Sequence, residues 1–433
     1  MNAKDFGARG DCVHPGDYTS GCLDCVVCET DDAPALQRAI DAAQLAGRSL
    51  FIPAGVYLVN TTLLIRCTGA RDPIEDNSPN PMCDGVLNAT HRYHPLRLVG
   101  EGMESTMIQA GRPMPAVLEL EAPAIAGGAR AGSCKRTGTC GFARNVTGMH
   151  AIEHIHFHAN GLANSSVMSF GVIRSRFANL AATSALQYGL SLHNGFINTI
   201  DGCKMHSNRE AGVFVSENDN AIEITNSEPS GNLGHGIVIF GGAQISIHRN
   251  TIEGNGGAGI LASGAEALDV TANYFEANTS PSVFAGNPNH EHGFVLRPAV
   301  TGVPGADAIA LNADIVLNGA DSWDEYGAAD PNRGVRIASN YHAPQPNGSA
   351  VLMFAARGVV LDGNSNGDHL SPDPTTPLIR VGPSAPTAAL RSKLWNVSDV
   401  TCRGNAAFPG LVRALRPGEP LPAGQRDAFA GCV

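Results

Sequence analysis

Lysine is almost missing from this 433-residue chain: four occur, at Lys4, Lys135, Lys204 and Lys393. Charged residues of both signs make up only 16%, and the formal net charge is −11. No basic run exists, so neither a nucleic-acid partner nor an anionic membrane surface is expected. No apolar run reaches the length of a membrane span. Aromatic residues are sparse at 6%, with two tryptophans. Helical periodicity is missing from the middle of the chain. No serine–histidine–aspartate arrangement, no EF-hand loop and no cofactor motif emerges. Gly254 to Gly259 satisfies G-x-G-x-x-G, but a dinucleotide site needs a helix at that loop. The residues that follow, Ile260-Leu261-Ala262-Ser263, read as a strand.

What is present is a repeat. Between Gly189 and Asn278 a glycine followed by alternating apolar residues recurs at Gly189, Gly212, Gly236 and Gly259. Asparagines recur at Asn208, Asn232, Asn255 and Asn278, and both series step by 23 or 24 residues. Such a period denotes a solenoid whose units contact only their neighbours. One unit holds three short strands, at Gly236–Ile239, Ile245–Ile247 and Thr251–Glu253, separated by Gly, Asn and Ser turns. Each unit is thus a triangular coil. Corresponding strands pair in parallel about 4.8 Å apart. Ile237, Ile239, Ile245, Ile247 and Ile252 point inward and stack on Ile222, Ile224, Ile260 and Leu268. The asparagine columns satisfy buried turn groups.

The start of the chain carries a second signature. Thr30 to Asp32 supply an N-cap, and Leu36, Ile40, Ala43 and Leu45–Ala46 form one buried helical face. Gly47 ends the helix, and a strand follows over Ser49 to Ile52. Such a helix suits the open end of a coil stack. The pattern Lys4-Asp5-Phe6-Gly7-Ala8-Arg9-Gly10-Asp11, then Thr30-Asp31-Asp32, the helix to Gly47, and Leu50 to Val59 resembles the N-terminus of the pectate-lyase-like superfamily. That superfamily comprises right-handed parallel β-helices, among them polygalacturonases, pectate lyases, alginate epimerases and tailspike depolymerases. The motif covers about the first 65 residues and departs from the family in the four-cysteine insertion between Asp11 and Thr30. The resemblance implies an all-β fold, a right-handed parallel β-helix with an N-terminal capping helix. It also implies a polysaccharide substrate and, by likeness to tailspikes, a homotrimer.

A single domain is expected over 1–433, with cap and first coil at 1–65 and decorated early coils at 66–150. Regular coils follow at 151–300, looser coils at 301–415 and a tail at 416–433. Eleven cysteines favour an oxidising, extracellular compartment. No apolar leader opens the chain, so secretion is expected through a trimmed signal or another route. Local pairing suggests Cys67–Cys83, Cys134–Cys140 and Cys402–Cys432, with two bridges among Cys12, Cys22, Cys25 and Cys28. Cys203 is left as a buried thiol. The alternative use of the first four cysteines, with His14, is a zinc site; it lacks a second CxxC. No metal is expected. Seven Asn-x-Ser/Thr sequons occur; Asn278 belongs to the asparagine column, which argues against its glycosylation.

Three clusters compete as the reactive site. Glu253 and Glu276 occupy equivalent places in adjacent coils, about 5 Å apart, the separation retaining glycosidases use. His206 falls in the same column of the repeat, and His158 also fits it. The second cluster is Glu210, His235 and Arg297. Gly234-His235-Gly236 resembles the GHG element of polygalacturonases, without the Asp-Asp pair and with Arg297 alone two coils on. Asp219 and Glu217 either wall the same groove or serve as ordinary turn residues. The third cluster is His290, Glu291 and His292. Pro288-Asn289-His290-Glu291 resembles the DPHE element of alginate epimerases with the aspartate replaced, and two histidines flanking one carboxylate suit proton abstraction or metal binding. The preferred reading is a polysaccharide hydrolase with catalytic Glu253 and Glu276. Glu210, Asp219 and His235 line its groove, and His206, Glu217, His290, Glu291, His292 and Arg297 contact substrate. A lyase or epimerase using His235 or His290 with Arg297 is the runner-up. A non-catalytic glycan-binding β-helix is the third.

Overall fold

The computed structural model describes residues 1–12, 28–65, 94–120, 147–216, 219–278, 313–318, 332–343, 349–353, 356–366, 379–381, 397–405, 412–414, 429 and 432. It divides into two compact units, Met1–Arg209 and Glu210–Val433. Each is built of parallel coils with three strands per turn, as the repeat predicts.

In the first unit, one sheet orders Leu50–Ile52, Arg97–Gly100, Ala151–Glu153, Arg176–Ala178 and Thr199–Asp201. The second orders Gly55–Val59, Thr106–Ala110, His156–His158, Ala181–Thr183 and Lys204–His206. The third orders Leu63–Ile65, Met114–Leu120, Ala163–Phe170 and Tyr188–His193. Every one of these pairs is parallel where its register is defined, for example Phe177 opposite Ile152 and Ile200. The second unit repeats the plan. Its first sheet contains Glu223–Thr225, Ser246–His248, Asp269–Thr271, Arg336–Ala338 and Ala356–Asp362. Its second contains Thr251–Glu253, Tyr274–Glu276, Tyr341–His342 and Ser365–Asn366. Its third contains Ala211–Val215, His235–Phe240, Ile260–Ser263, Ala313–Asn318 and Ser349–Met353. Two-residue periodicity sends alternate side chains inward, and Ile237, Ile239, Ile245, Ile247, Ile252, Ile260 and Val270 are wholly buried.

The corners between first and second strands are sharp. A residue in the left-handed region turns the chain: Arg249 (φ 59), Ala272 (φ 55) or Ser339 (φ 55). A buried asparagine follows each one. Asn250, Asn273, Asn340 and Asn364 then form a ladder. The amide of Asn250 donates to Asn273 Oδ1 (3.0 Å), Asn273 to Asn340 (3.0 Å), and Asn340 to Asn364 (3.0 Å). Each side-chain oxygen also accepts the backbone N–H of the asparagine one coil back, as Asn273 does from Asn250 at 2.9 Å. The expected column Asn232–Asn255–Asn278 exists as a second ladder, with bonds of 2.9 Å and 2.9 Å. It ends on Asp314, which accepts from Asn278 (3.0 Å) and bonds His342 Nδ1 (2.8 Å). In the first unit, Asn208 accepts from Ala185 N–H (3.0 Å) and donates to Ala182 C=O (3.1 Å).

The helix Ala33–Ala46 closes the first coil. Leu36, Ile40 and Ala43 are buried as expected, but Leu45 is 42% exposed and Ala46 is exposed too, because in the last turn Ala43 and Gln44 take the buried side of the helix. Asp31, not Asp32, accepts from the helix N-terminus, at Ala33 N–H (3.1 Å). Asp32 instead accepts from Arg9 and Gly10 N–H groups (2.6 and 3.0 Å), tying the first residues down. All three sheet edges of this coil are covered. Phe51 N–H donates to Met1 C=O (2.9 Å) and Cys12 N–H to Val56 C=O (3.2 Å). The Gln37 side chain pairs both backbone groups of Leu64, at 2.8 and 2.9 Å.

Cys402–Cys432 is bridged as expected, and Cys12 bridges Cys28. The latter removes two ligands from the zinc alternative. Cys203 is a buried thiol donating to Phe177 C=O (3.4 Å), and burial pushes its pKa up to about 12. Cys22, Cys25, Cys67, Cys83, Cys134 and Cys140 lie outside the described residues.

Asn273→Ala removes a rung that four hydrogen bonds use, and a loss of about 2–3 kcal/mol is expected in urea denaturation. Ala272→Gly relieves a left-handed alanine beside it and should raise stability by roughly 1 kcal/mol.

Candidate functional site

The outward positions of the three sheets differ in character. In the second unit the third sheet carries Phe214, Val238, Leu261, Val316 and Leu352 outward, in register and all buried. That surface is apolar and covered. The first sheet carries polar pairs outward, His248 hydrogen-bonded to Glu223 (2.7 Å) and Arg336 ion-paired with Asp269 (3.1 Å). The second sheet is open and polar, and it holds the paired glutamates.

Glu253 and Glu276 are direct register partners on neighbouring parallel strands, which sets their backbones about 4.8 Å apart. Two residues earlier on the same face stand Thr251 and Tyr274, also in register, and Tyr341 follows Tyr274. The Tyr274 hydroxyl donates to Glu276 Oε2 at 2.6 Å. Its ring stacks on Tyr341, with centroids 5.1 Å apart and planes 5° from parallel. The hydrogen bond to Glu276, then burial, then the nearby charges of Glu276, Tyr341 and Glu253 push the Tyr274 pKa up to about 12. Tyr274 is therefore a neutral donor at any physiological pH. Thr251 N–H donates to Ser227 C=O (3.0 Å) and Gly231 N–H to Glu253 C=O (2.9 Å). These bonds place Glu228 beside Thr251 and Ser230 beside Glu253. The face thus gathers carboxylates, hydroxyls and an aromatic stack. Reading the sequence for carboxylates alone overlooks the tyrosines. The available signal was the recurring Asn-Tyr pair, Asn273-Tyr274 and Asn340-Tyr341, each tyrosine following a ladder asparagine.

The other expected residues fare differently. His235 is buried, and its Nδ1 accepts from Ala258 N–H at 3.0 Å. Burial pulls its pKa down to about 4. A β-carbon at Gly257 would lie 2.6 Å from its ring, so the next coil's glycine packs against it. This is a histidine that seals a turn, not one that lines a groove. Asp219 is likewise buried and accepts from Ser216 N–H (2.6 Å), closing its own turn. The turn role won there over the groove role. Glu210 is half-buried and its carbonyl accepts from His235 N–H (2.8 Å). His206 belongs to the first unit, exposed, in register with Thr183 and, one coil further, His158. Beside them His156 bonds Thr183 Oγ1 (2.7 Å), and burial, with His158 and His206 nearby, lowers its pKa to about 3. Glu217, His290, Glu291, His292 and Arg297 lie outside the described residues.

A set not singled out from the sequence lies on the third sheet of the first unit. Glu119, Met168 and Ser191 share one outward register column, with Glu119 and Ser191 buried. In the next column His193 stacks on Phe170, centroids 4.8 Å apart. A buried outward carboxylate has no pattern in one sequence that separates it from a solvated one.

Comparison with known proteins agrees with this architecture. A family model described as "Right handed beta helix region" matches residues 150–297. Two mannuronan C5-epimerases of Azotobacter vinelandii, AlgE1 and AlgE2, are each 34% identical over 109 residues, a quarter of this chain. That stretch is only 5% and 7% of the length of those two proteins. PfbA, a surface adhesin of Streptococcus pneumoniae, superposes with a TM-score of 0.57 at 14% identity, over 95% of this chain and 92% of PfbA. The A-module of the Azotobacter vinelandii epimerase AlgE6 gives a TM-score of 0.48 at 16% identity, over 94% and 98%. The fold is a right-handed parallel β-helix, and the family model of that description covers about a third of the chain.

Buried His235 makes stability pH-dependent. Its folded pKa lies below the ordinary 6.5, so between 6.5 and about 4 the unfolded chain binds the extra proton. Its contribution is complete above pH 6.5 and lost as pH falls toward 4, by roughly 3 kcal/mol in all. Denaturation midpoints measured from pH 7 to 4 should fall in the wild type and fall less in His235→Gln.

Proposed function

We propose that this chain is a carbohydrate-active enzyme that hydrolyses a polysaccharide on the open second-sheet face of its second unit. The observation that carries the reading is the register pairing of Glu253 with Glu276 beside Tyr274. A parallel coil stack offers a linear polymer a row of equivalent steps about 4.8 Å apart. Strand spacing lets the two carboxyl groups approach the roughly 5 Å separation that suits retention of configuration through a covalent glycosyl intermediate.

The roles follow from the hydrogen bonding. Glu276 accepts from the neutral Tyr274 hydroxyl and is the nucleophile, its second oxygen attacking the anomeric carbon. Glu253 donates its proton to the departing glycosidic oxygen. In the second step Glu253 takes a proton from water, whose oxygen attacks the anomeric carbon and releases Glu276. Tyr274 orients the nucleophile and gives nothing up. Two disulfides, Cys12–Cys28 and Cys402–Cys432, support export to an oxidising compartment.

A second reading, uronate epimerisation or elimination, is favoured by the 34% identity to mannuronan C5-epimerases over 109 residues. Both reactions begin with loss of the proton at C5. For that chemistry Glu119, which shares an outward register column with Met168 and Ser191 on the first unit, is a candidate beside His235.

Products separate the readings. Incubation with a glycan panel should yield new reducing ends without unsaturated products absorbing near ~235 nm and without deuterium uptake from heavy water. Glu253→Gln and Glu276→Gln should each lower turnover by at least about 100-fold with unchanged melting temperature. Wild-type turnover in both variants would sink the hydrolytic assignment, and unsaturated or deuterated products would transfer it to the second reading. Retention of a glycan with no product of any kind would leave a binding protein.

A further inference from the structure

We infer that the stacked tyrosines make the second-sheet face of the second unit a subsite for an uncharged sugar ring, so that the polymer bound there is a neutral glycan. The inference rests on the hydrolytic reading for its location, but it concerns binding and stands or falls separately from bond cleavage.

The geometry begins with one register column. Glu228, Thr251, Tyr274, Tyr341 and Ser365 follow one another on successive strands. Tyr274 and Tyr341 are large and lie flat against each other, with planes 5° apart. One face of the Tyr274 ring is therefore taken by Tyr341. The opposite face looks over Thr251, a small, exposed residue. A ring wall one side chain high thus rises beside a shallow step. Pyranose rings carry axial C–H groups on one face and pack those against aromatic π-faces, whose partial negative charge attracts them. A sugar lying over Thr251 meets the Tyr274 face edge to edge with the column.

The second column supplies the polar half. Glu253 projects from the same strand as Thr251 and on the same side, two residues further on, and Glu276 stands one strand away. Sugar hydroxyls donate to such carboxylates. Ser230 continues this column beyond Glu253, and the Tyr274 hydroxyl is already engaged with Glu276.

Charge then selects among glycans. Among the described residues, the outward positions of these strands hold Glu228, Glu253 and Glu276 and no lysine or arginine. The exposed cation nearest in sequence is Arg249, at the corner before Thr251. A polyuronate would bring one carboxylate per sugar along three fixed carboxylates and be repelled. A neutral chain loses nothing and gains hydrogen bonds from each hydroxyl it donates. Salt screening makes the same prediction in reverse, since added salt should help a polyanion and leave a neutral glycan unchanged.

The test is affinity electrophoresis of the full chain in gels containing dextran, laminarin, galactomannan, alginate or polygalacturonate, at low and high salt. Retention is expected in at least one neutral gel, independent of salt, and not in alginate or polygalacturonate. Tyr274→Ala should weaken that retention about tenfold. Thr251→Trp, which fills the step, should abolish it while circular dichroism and melting temperature stay at wild-type values. Tyr274→Phe keeps the ring and should retain the glycan while cleavage falls, separating the subsite from the hydrolytic reading. Glu253→Gln should likewise still bind. Retention by a polyuronate but by no neutral glycan overturns the inference, as does absence of retention in every gel. Neutral retention that survives both Tyr274→Ala and Thr251→Trp also overturns it, because the sugar then sits elsewhere.

Discussion

A solenoid with three strands per coil must turn sharply, and every sharp turn buries backbone groups that strands cannot pair. The asparagine ladders answer that constraint. At the second unit's corners after Arg249, Ala272 and Ser339, a left-handed residue bends the chain and the following asparagine is driven inside. Its amide then reaches one coil forward and its oxygen one coil back. An unpaired buried amide costs a few kcal/mol, so the ladder turns a row of liabilities into a further link between coils. Corner geometry in turn sets strand register, and register decides which side chains become neighbours on the outer faces. Glu253 faces Glu276 because Asn250 bonds Asn273 just before them.

The outer faces are consequently free to diverge. The third sheet of the second unit spends its outward positions on buried aliphatic and aromatic groups, and the first spends them on polar pairs. Only the second keeps an open row of hydroxyls, carboxylates and stacked rings. Stacking does not require tyrosine at positions 274 and 341; Thr251 and Ser365 occupy the same column without harm to the ladder. Side chains that the scaffold does not need are the candidates for meeting other molecules.

Most of the scaffold could be read from residue order alone. The isoleucine positions, the three strands per unit, the capping helix and the Asn232–Asn255–Asn278 column are all periodic, and period is what a linear sequence displays. The ladder through Asn250 was harder to see, because Asn340 lies 67 residues beyond Asn273, across an insertion that breaks the step of 23. The candidate site was half legible. Glu253 and Glu276 repeat, so their adjacency follows from the period. His235 and Asp219 looked equally chemical, yet both close turns. A histidine that accepts from Ala258 one coil away cannot be told from a catalytic one until the coil is built. Glu119 was invisible for the same reason, since burial of an outward residue depends on what lies over it.

The seal at the first coil has a consequence for how such a chain can change length. Met1, Cys12 and Gln37 each occupy the hydrogen-bonding groups of a different strand. A duplicated coil inserted at that end would have to displace all three contacts together. Duplication further along needs only that a new asparagine find the rung before it and the rung after. Growth by whole coils is therefore easier on the side away from the cap.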